Sequence, residues 1–428
     1  MFLSVTLAIF QFLLITFISI NEFKRRSVSV FLWAMLFVVF GLMHCVTVLS
    51  SEYDYPMWVY DSASVFVISF CLIYMMTRSI TMIRCKNSID LYGDIRLSWE
   101  RQSLSDRKYL YITFCLFVFL SSYQIYELIS FSGSIFDTSW SSMREMNSNQ
   151  GLGISQVIES FTYSTSIVLL FIYNKQIKEA YLSAFMILLL AIISRRRSDL
   201  LPLLIVMITY FVYQREKITV KRFAIFSLLG VLSICAIYAL QIFRYYGSLY
   251  DFVSLFSIDD FSFRILSQVS EEKGDLWLKD YFYYFIYHDN AFVNFEEGHT
   301  YLRMLMVFLP TSIFGWIKPP DFAISMGSAI YPGTLGASIH PTLFGDCFAN
   351  FGYWGVCMGL FWAIFVKLSD VLANRKNVYV KYSLIILYAN AYILIGRGSV
   401  YNAFFTFMVG SIVVYAVWLV SHIRVNRI

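Results

Sequence analysis

Runs of about twenty apolar residues, closed by short charged connections, recur from Phe2 to the end of this chain. They limit the fold more than any other feature. A helix crossing a hydrocarbon core about 30 Å thick needs about 20 such residues. Membrane spans are predicted at roughly 2–20, 28–49, 62–83, 109–130, 153–173, 180–194, 199–213, 223–243, 343–366, 381–395 and 400–420. The fold class is therefore an all-α polytopic membrane protein with about 11 transmembrane helices. Helices one to eight fall in 1–243, a large outer loop in 244–342, and the last three helices in 343–428. Composition excludes a water-soluble domain: 58% of the 428 residues are hydrophobic and 14% charged, against about 25% charged in soluble proteins. No internal repeat is visible.

Orientation follows from lysine and arginine in the connections. With Lys24, Arg25 and Arg26 inside, alternation places 84–108, 174–179, 214–222, 367–380 and the tail after Ser421 on the same side. With Arg78 and Lys381 at span ends, that side holds 22 of the 33 basic residues, as the positive-inside bias requires. The N-terminus is then outside and the C-terminus inside. The run from Phe2 has no basic segment before it and no small-residue cleavage site after it, so it reads as a first span. The run 301–317 is nearly long enough to cross, but it contains Arg303 and Pro310. It is read as an interfacial or re-entrant piece of the large loop, which should hold short amphipathic helices. The net charge of +5 belongs to this topology and points to membrane lipids, not to nucleic acid. Seven cysteines are scattered, with Cys45, Cys71, Cys115, Cys235 and Cys357 in apolar runs. They read as small hydrophobes, and no Cys/His spacing suggests a metal site.

The informative residues are arginines that break the charge rule. Arg195, Arg196 and Arg197 stand in a tight turn, Ser194 to Asp199, between two runs of about 15 residues, or about 22 Å as helix. Such short runs recess the turn into the membrane surface, where three guanidiniums need a counter-charge. The turn Gly396-Arg397-Gly398-Ser399 is a second exception, and Arg244 and Arg303 complete the set. The planar guanidinium fork holds phosphate oxygens bidentately, so the set suits a phosphate or pyrophosphate ligand. Lipid headgroups, or a local pair such as Arg197 with Asp199, are the alternative reading.

His340 opens the stretch His340-Pro341-Thr342-Leu343-Phe344-Gly345-Asp346, where the large loop returns to the membrane. A neutral imidazole there can accept a proton from a sugar hydroxyl; a structural histidine is the alternative. Asp346 either orients His340 or pairs with an arginine. Gly352 and Gly355 read as close-packing positions between helices. The aromatic run Trp277, Tyr281, Phe282, Tyr283, Tyr284, Phe285 and Tyr287 suits a membrane interface, and also the apolar faces of sugars.

The recessed RRRSDL turn, the large outer loop, HPTLFGDCFANFGYWG before a late span, and the IGRGS turn together resemble Wzy-type O-antigen polymerases and the related O-antigen ligases. The resemblance implies a GT-C-like, metal-independent glycosyltransferase of the bacterial inner membrane, with its N-terminus periplasmic and its C-terminus cytoplasmic. It implies no cofactor. Donor and acceptor would both be oligosaccharides linked to undecaprenyl pyrophosphate, and a chain-length regulator protein would be a further partner. By position, Arg196 and Arg197 would hold the pyrophosphate, assisted by Arg397, and His340 would be the base. The chain departs from the ligase pattern at Pro341, where an asparagine commonly follows the histidine. A flippase for the same lipid-linked sugar and an O-antigen ligase are the competing readings.

Overall fold

The long apolar runs become helices because a chain in lipid must satisfy every backbone group internally. A computed structural model describes residues 2–51, 53–83, 104–132, 168, 170–171, 176–194, 200–213, 278–290, 296–309, 311–330, 339–375, 377–398 and 400–423. These residues are helical throughout, joined by short turns. Among the described residues seven segments are long and apolar enough to cross a membrane: Phe2–Lys24, Val30–Ser50, Met57–Ile80, Ser105–Glu127, Thr342–Ala373, Val378–Arg397 and Val400–His422. The expected spans at 153–173 and 223–243 lie almost wholly outside the described residues. Of the two short spans beside the arginine turn, α6 covers Ile177–Ser194 and α7 covers Leu201–Tyr213. The 13 residues of α7 extend only about 20 Å, less than a hydrocarbon core.

The described chain divides into two compact units. The first contains Met1–Leu91, Lys273–Asn374 and Ala391–Phe405. Its long helices are α1 (Phe2–Lys24), the composite segment α2 (Val30–Leu36) with α3 (His44–Ser50), and α4 (Met57–Ile83). A π-helical turn, Phe37–Met43, joins α2 to α3. Such a turn offsets carbonyls from the usual ladder, and here the Gln11 amide of α1 donates to the Phe40 carbonyl at 2.7 Å. A buried glutamine in an apolar run thus has a structural purpose.

The aromatic core of this unit comes from two ridges spaced four residues apart, a spacing that sets side chains on one helix face. Phe66 and Phe70 of α4 meet Phe348 and Phe344 of α12 (Thr342–Phe351), with ring centroids 5.5 and 5.1 Å apart. Phe282, from α8 (Lys279–Tyr287), inserts edge-on against Phe66 and Phe348. Edge-to-face pairs of this kind add about 0.5–1.5 kcal/mol each beyond area burial.

The apolar run 343–366 does not form one straight helix. After α12, Gly352 takes φ +54°, a 3-10 turn covers Gly352–Cys357, and α13 (Met358–Ala373) resumes. A Cβ on Gly355 would lie 2.4 Å from the Cys347 carbonyl oxygen, so the chain folds back against α12. Gly355 is a close-packing glycine within this hairpin, not between long helices. Gly352 is not a packing position, since a Cβ there would meet nothing within 4 Å; its positive φ is what requires glycine. The true helix-to-helix contact is Gly359, where a Cβ would stand 2.6 Å from the Phe70 carbonyl.

Residues 301–317 likewise form no continuous helix. They contribute to α9 (His299–Leu305) and α10 (Thr311–Phe314), of seven and four residues, on either side of Pro310. A further helix, α11 (Phe322–Ile330), follows.

The second unit contains Tyr92–Glu272, Arg375–Asn390 and Thr406–Ile428. It includes α5 (Leu104–Ser132), α6, α7, the first part of α14 (Val378–Arg397) and the later part of α15 (Val400–His422). Tyr109 of α5 bonds Ser383 at 3.0 Å, and Asn377 donates to Asp106 at 2.8 Å. Tyr388 stacks on Phe407 with centroids 4.2 Å apart, and Gly410 leaves room for Leu387.

Candidate functional site

The site assembles at the end of the first unit where α9, α12 and the α14–α15 turn meet. Gly298, with φ +79°, starts α9, and its N–H donates to the Asn350 carbonyl at 2.8 Å. The Asn350 side chain accepts from the Thr300 N–H at 3.0 Å and donates to the Thr300 hydroxyl at 3.1 Å. Asp346 lies one helical turn before Asn350, so both face α9. Thr300 and Arg303, three apart on α9, face back.

Arg303 is buried, only 4% exposed. Its Nη1 donates to the Pro319 carbonyl, and Nη2 stands 3.9 Å from an Asp321 oxygen. The guanidinium lies over the Tyr401 ring at 4.5 Å, with the Lys318 ammonium 5.4 Å from the same ring. Among the described residues Nε has no hydrogen-bond partner. Asp346 is 1% exposed, and among the described residues neither carboxyl oxygen has a bond of ordinary geometry, although Thr300 and Tyr301 flank it. Among the described residues its carboxyl oxygens bond neither an arginine nor His340. It faces a small cavity of about 20 Å³, room for about one water molecule, lined by Thr300, Arg303, Asp321, Asp346, Gly398 and Tyr401.

The IGRGS and HPT motifs meet at this cavity. Arg397 ends α14, and Gly398, with φ +105°, caps it by donating to the Leu394 and Ile395 carbonyls at 3.1 and 3.0 Å. The backbone of Gly398 lies against the Pro341–Thr342 peptide. A Cβ there would stand 2.3 Å from the Thr342 nitrogen. Thr342 itself has φ +68°, which for a β-branched residue costs about 1–3 kcal/mol and persists only when its surroundings fix it. His340 precedes this strained point and is half-buried; the Ile339 N–H before it donates to the Ala323 carbonyl at 3.0 Å. Gly398→Ala should therefore lower the melting temperature of detergent-extracted protein by several degrees, while Gly352→Ser, at a position with open space, should lower it less. Equal melting of Gly398→Ala and wild type would mean that the two turns are not in contact.

Of the sequence-derived candidates, Arg303, His340, Asp346 and Arg397 thus converge in this unit. Arg195, Arg196, Arg197 and Arg244 lie outside the described residues. Two polar groups escaped the sequence reading. At the C-terminal ends of α1, α4 and α13, Arg78 bonds Glu22 through Nε at 3.1 Å and Nη2 at 3.0 Å, and also bonds Asp370. Ser27 donates to Asp370 at 2.9 Å, and Ser29 to Glu22 at 3.0 Å. All three charged groups are at least 95% buried. Their meeting places the ends of α1, α4 and α13 on one side, as the positive-inside count expects for 24–26 and 367–380. The second group is His44, whose Nδ1 pairs with the Tyr283 hydroxyl at 2.5 Å and Nε2 with Ser64 at 2.8 Å. An isolated polar residue in an apolar run was the sequence signal for His44, whereas Glu22, Arg78 and Asp370 lie at or beyond span ends.

No family model, curated protein or solved structure matches the chain.

Proposed function

We propose that this protein is a lipid-linked oligosaccharide polymerase of the Wzy type, acting at the periplasmic face of a bacterial inner membrane. The observation that carries the reading is the cavity beside the packed HPT and IGRGS turns. A buried guanidinium and a buried carboxyl face this cavity from separate helices. In the reaction, a terminal hydroxyl of the acceptor repeat unit attacks the anomeric carbon of the donor glycan. The new C–O bond forms as the bond to undecaprenyl pyrophosphate breaks, and the hydroxyl proton passes to His340. Arg303 and Arg397 supply charge that stabilises the pyrophosphate leaving group, which accounts for most of the rate.

A flippase would instead need charges reachable along its spans. The buried charges at Glu22, Arg78 and Asp370 satisfy one another at helix ends, which favours a clamp over a transport path. The deciding experiment is the glycan ladder of a strain lacking this chain. Loss of polymer with one repeat unit still attached is expected; loss of all repeat units would mean a ligase or flippase. Complementation with His340→Ala, at wild-type protein levels, should lower polymer formation by about two to four orders of magnitude. Full-length polymer from that strain would remove His340 from the mechanism.

A further inference from the structure

α8 has two aromatic faces. Phe282 and Phe285 point inward, onto Phe66, Phe348 and Phe322. The other face meets the segment before and at the start of α4. The Tyr287 ring lies 5.6 Å from Tyr55 and is stacked with Trp58 at 6.4 Å. Trp58 and Tyr287 remain 49% and 46% exposed. Beneath them Tyr283 is fully buried, its hydroxyl fixed by His44, and its ring touches those of Tyr55 and Tyr60. The following turn is also fixed. Asp289 and Asn290 both have positive φ, and the Asn290 amide donates to the Phe348 carbonyl at 2.7 Å. The aromatic surface is therefore preorganised.

Its ionic rim separates two uses of such a surface. An interfacial belt meets lipid phosphates and is accompanied by Lys or Arg anchors. Here Asp54 and Asp289 are exposed, whereas the nearby ammonium of Lys279 is buried and bonded to Asp280 at 3.1 Å. Burial, followed by the Asp280 and Asp54 carboxylates, pushes the Tyr55 phenol up to about 12. Among the described residues the rim of this aromatic surface carries carboxylates and no exposed Lys or Arg, which disfavours phosphate there. The surface matches a sugar ring, whose C–H face covers an aromatic ring while its hydroxyls donate to carboxylate oxygens.

We infer that Tyr55, Trp58 and Tyr287, with Asp54 and Asp289, form a saccharide subsite for an uncharged pyranose ring. The inference rests on the proposed function for the identity of that saccharide, the repeat unit. α8 packs on α12, which carries Asp346, so one support holds both the subsite and the cavity.

The test uses full-length protein in nanodiscs of zwitterionic lipid. The probe is the repeat-unit oligosaccharide released by mild acid from the host cell's lipid carrier, and binding is read by saturation-transfer NMR. Trp58→Ala and Tyr287→Ala should each weaken binding by about ten-fold, while Tyr287→Phe keeps the ring and binds within about two-fold of wild type. Asp54→Asn with Asp289→Asn should weaken it by about five-fold. The subsite is overturned if wild type shows no saturation transfer, or if Trp58→Ala binds as wild type does. That second result, with a ladder that still depends on the chain, would leave the polymerase reading standing. Binding lost in Trp58→Ala, from a chain whose deletion leaves the ladder intact, would support the subsite and remove the polymerase.

Discussion

Arg78→Met is expected to leave the protein nearly absent from membranes. The substitution removes the cation that Glu22 and Asp370 share inside the helix cluster, and it leaves two buried carboxylates near each other. Breaking a buried ion pair by deleting one partner costs about 3–5 kcal/mol, against a total stability of about 5–15 kcal/mol. Arg25 softens the loss only at Glu22, from 3.2 Å and a part-exposed position. Replacing the whole group should cost far less, because no uncompensated charge remains. Glu22→Gln, Arg78→Met and Asp370→Asn combined should therefore restore most of the protein, and Arg78→Lys, which loses the two-pronged contact, should fall between. Membrane-fraction immunoblots and melting of a detergent-extracted fluorescent fusion would report both effects. If Arg78→Met accumulates and melts like wild type, the three helix ends are not held by this network.

That network also shows which parts of the structure the sequence could reveal. Run length alone marked most of the described spans, since a lipid-embedded backbone leaves few alternatives to a helix. Pairings between distant residues carry no local signal. Arg78 is 56 residues from Glu22 and 292 from Asp370, so it counted only as one more inner-side cation. The fold-back at Gly352 was hidden because the residues on both sides are apolar, and hydropathy does not distinguish a straight helix from a hairpin. The role of Gln11 was hidden for the same reason, since it depends on a π-turn in another helix. At the candidate site, motif order was informative: His340, Asp346 and Arg397 were singled out, and the structure sets their segments side by side. The orientation of Asp346 toward α9 was not legible, because it depends on Asn350 and Thr300 pinning that short helix.

The second large effect should come from the cavity and should be chemical, not structural. Arg303→Lys keeps one charge beneath Tyr401 but cannot reproduce a fork that serves Pro319, faces Asp321 and still presents Nε. Removing one preorganised donor from a charge-stabilising site typically costs about 100- to 1000-fold in rate. Polymer formation by Arg303→Lys should fall by about that factor while protein level and melting stay near wild type. Asp346→Asn preserves shape and can still bond to its neighbours, so it should also accumulate normally. It should lose activity by a similar factor, because the ionisable group is gone. Both residues line one cavity, so their effects should not add. The double variant should be little worse than the weaker single variant. An Arg303→Lys strain with normal polymer length and amount would make this arginine a structural cation. Simple additivity of two large losses would mean that Arg303 and Asp346 act on separate steps.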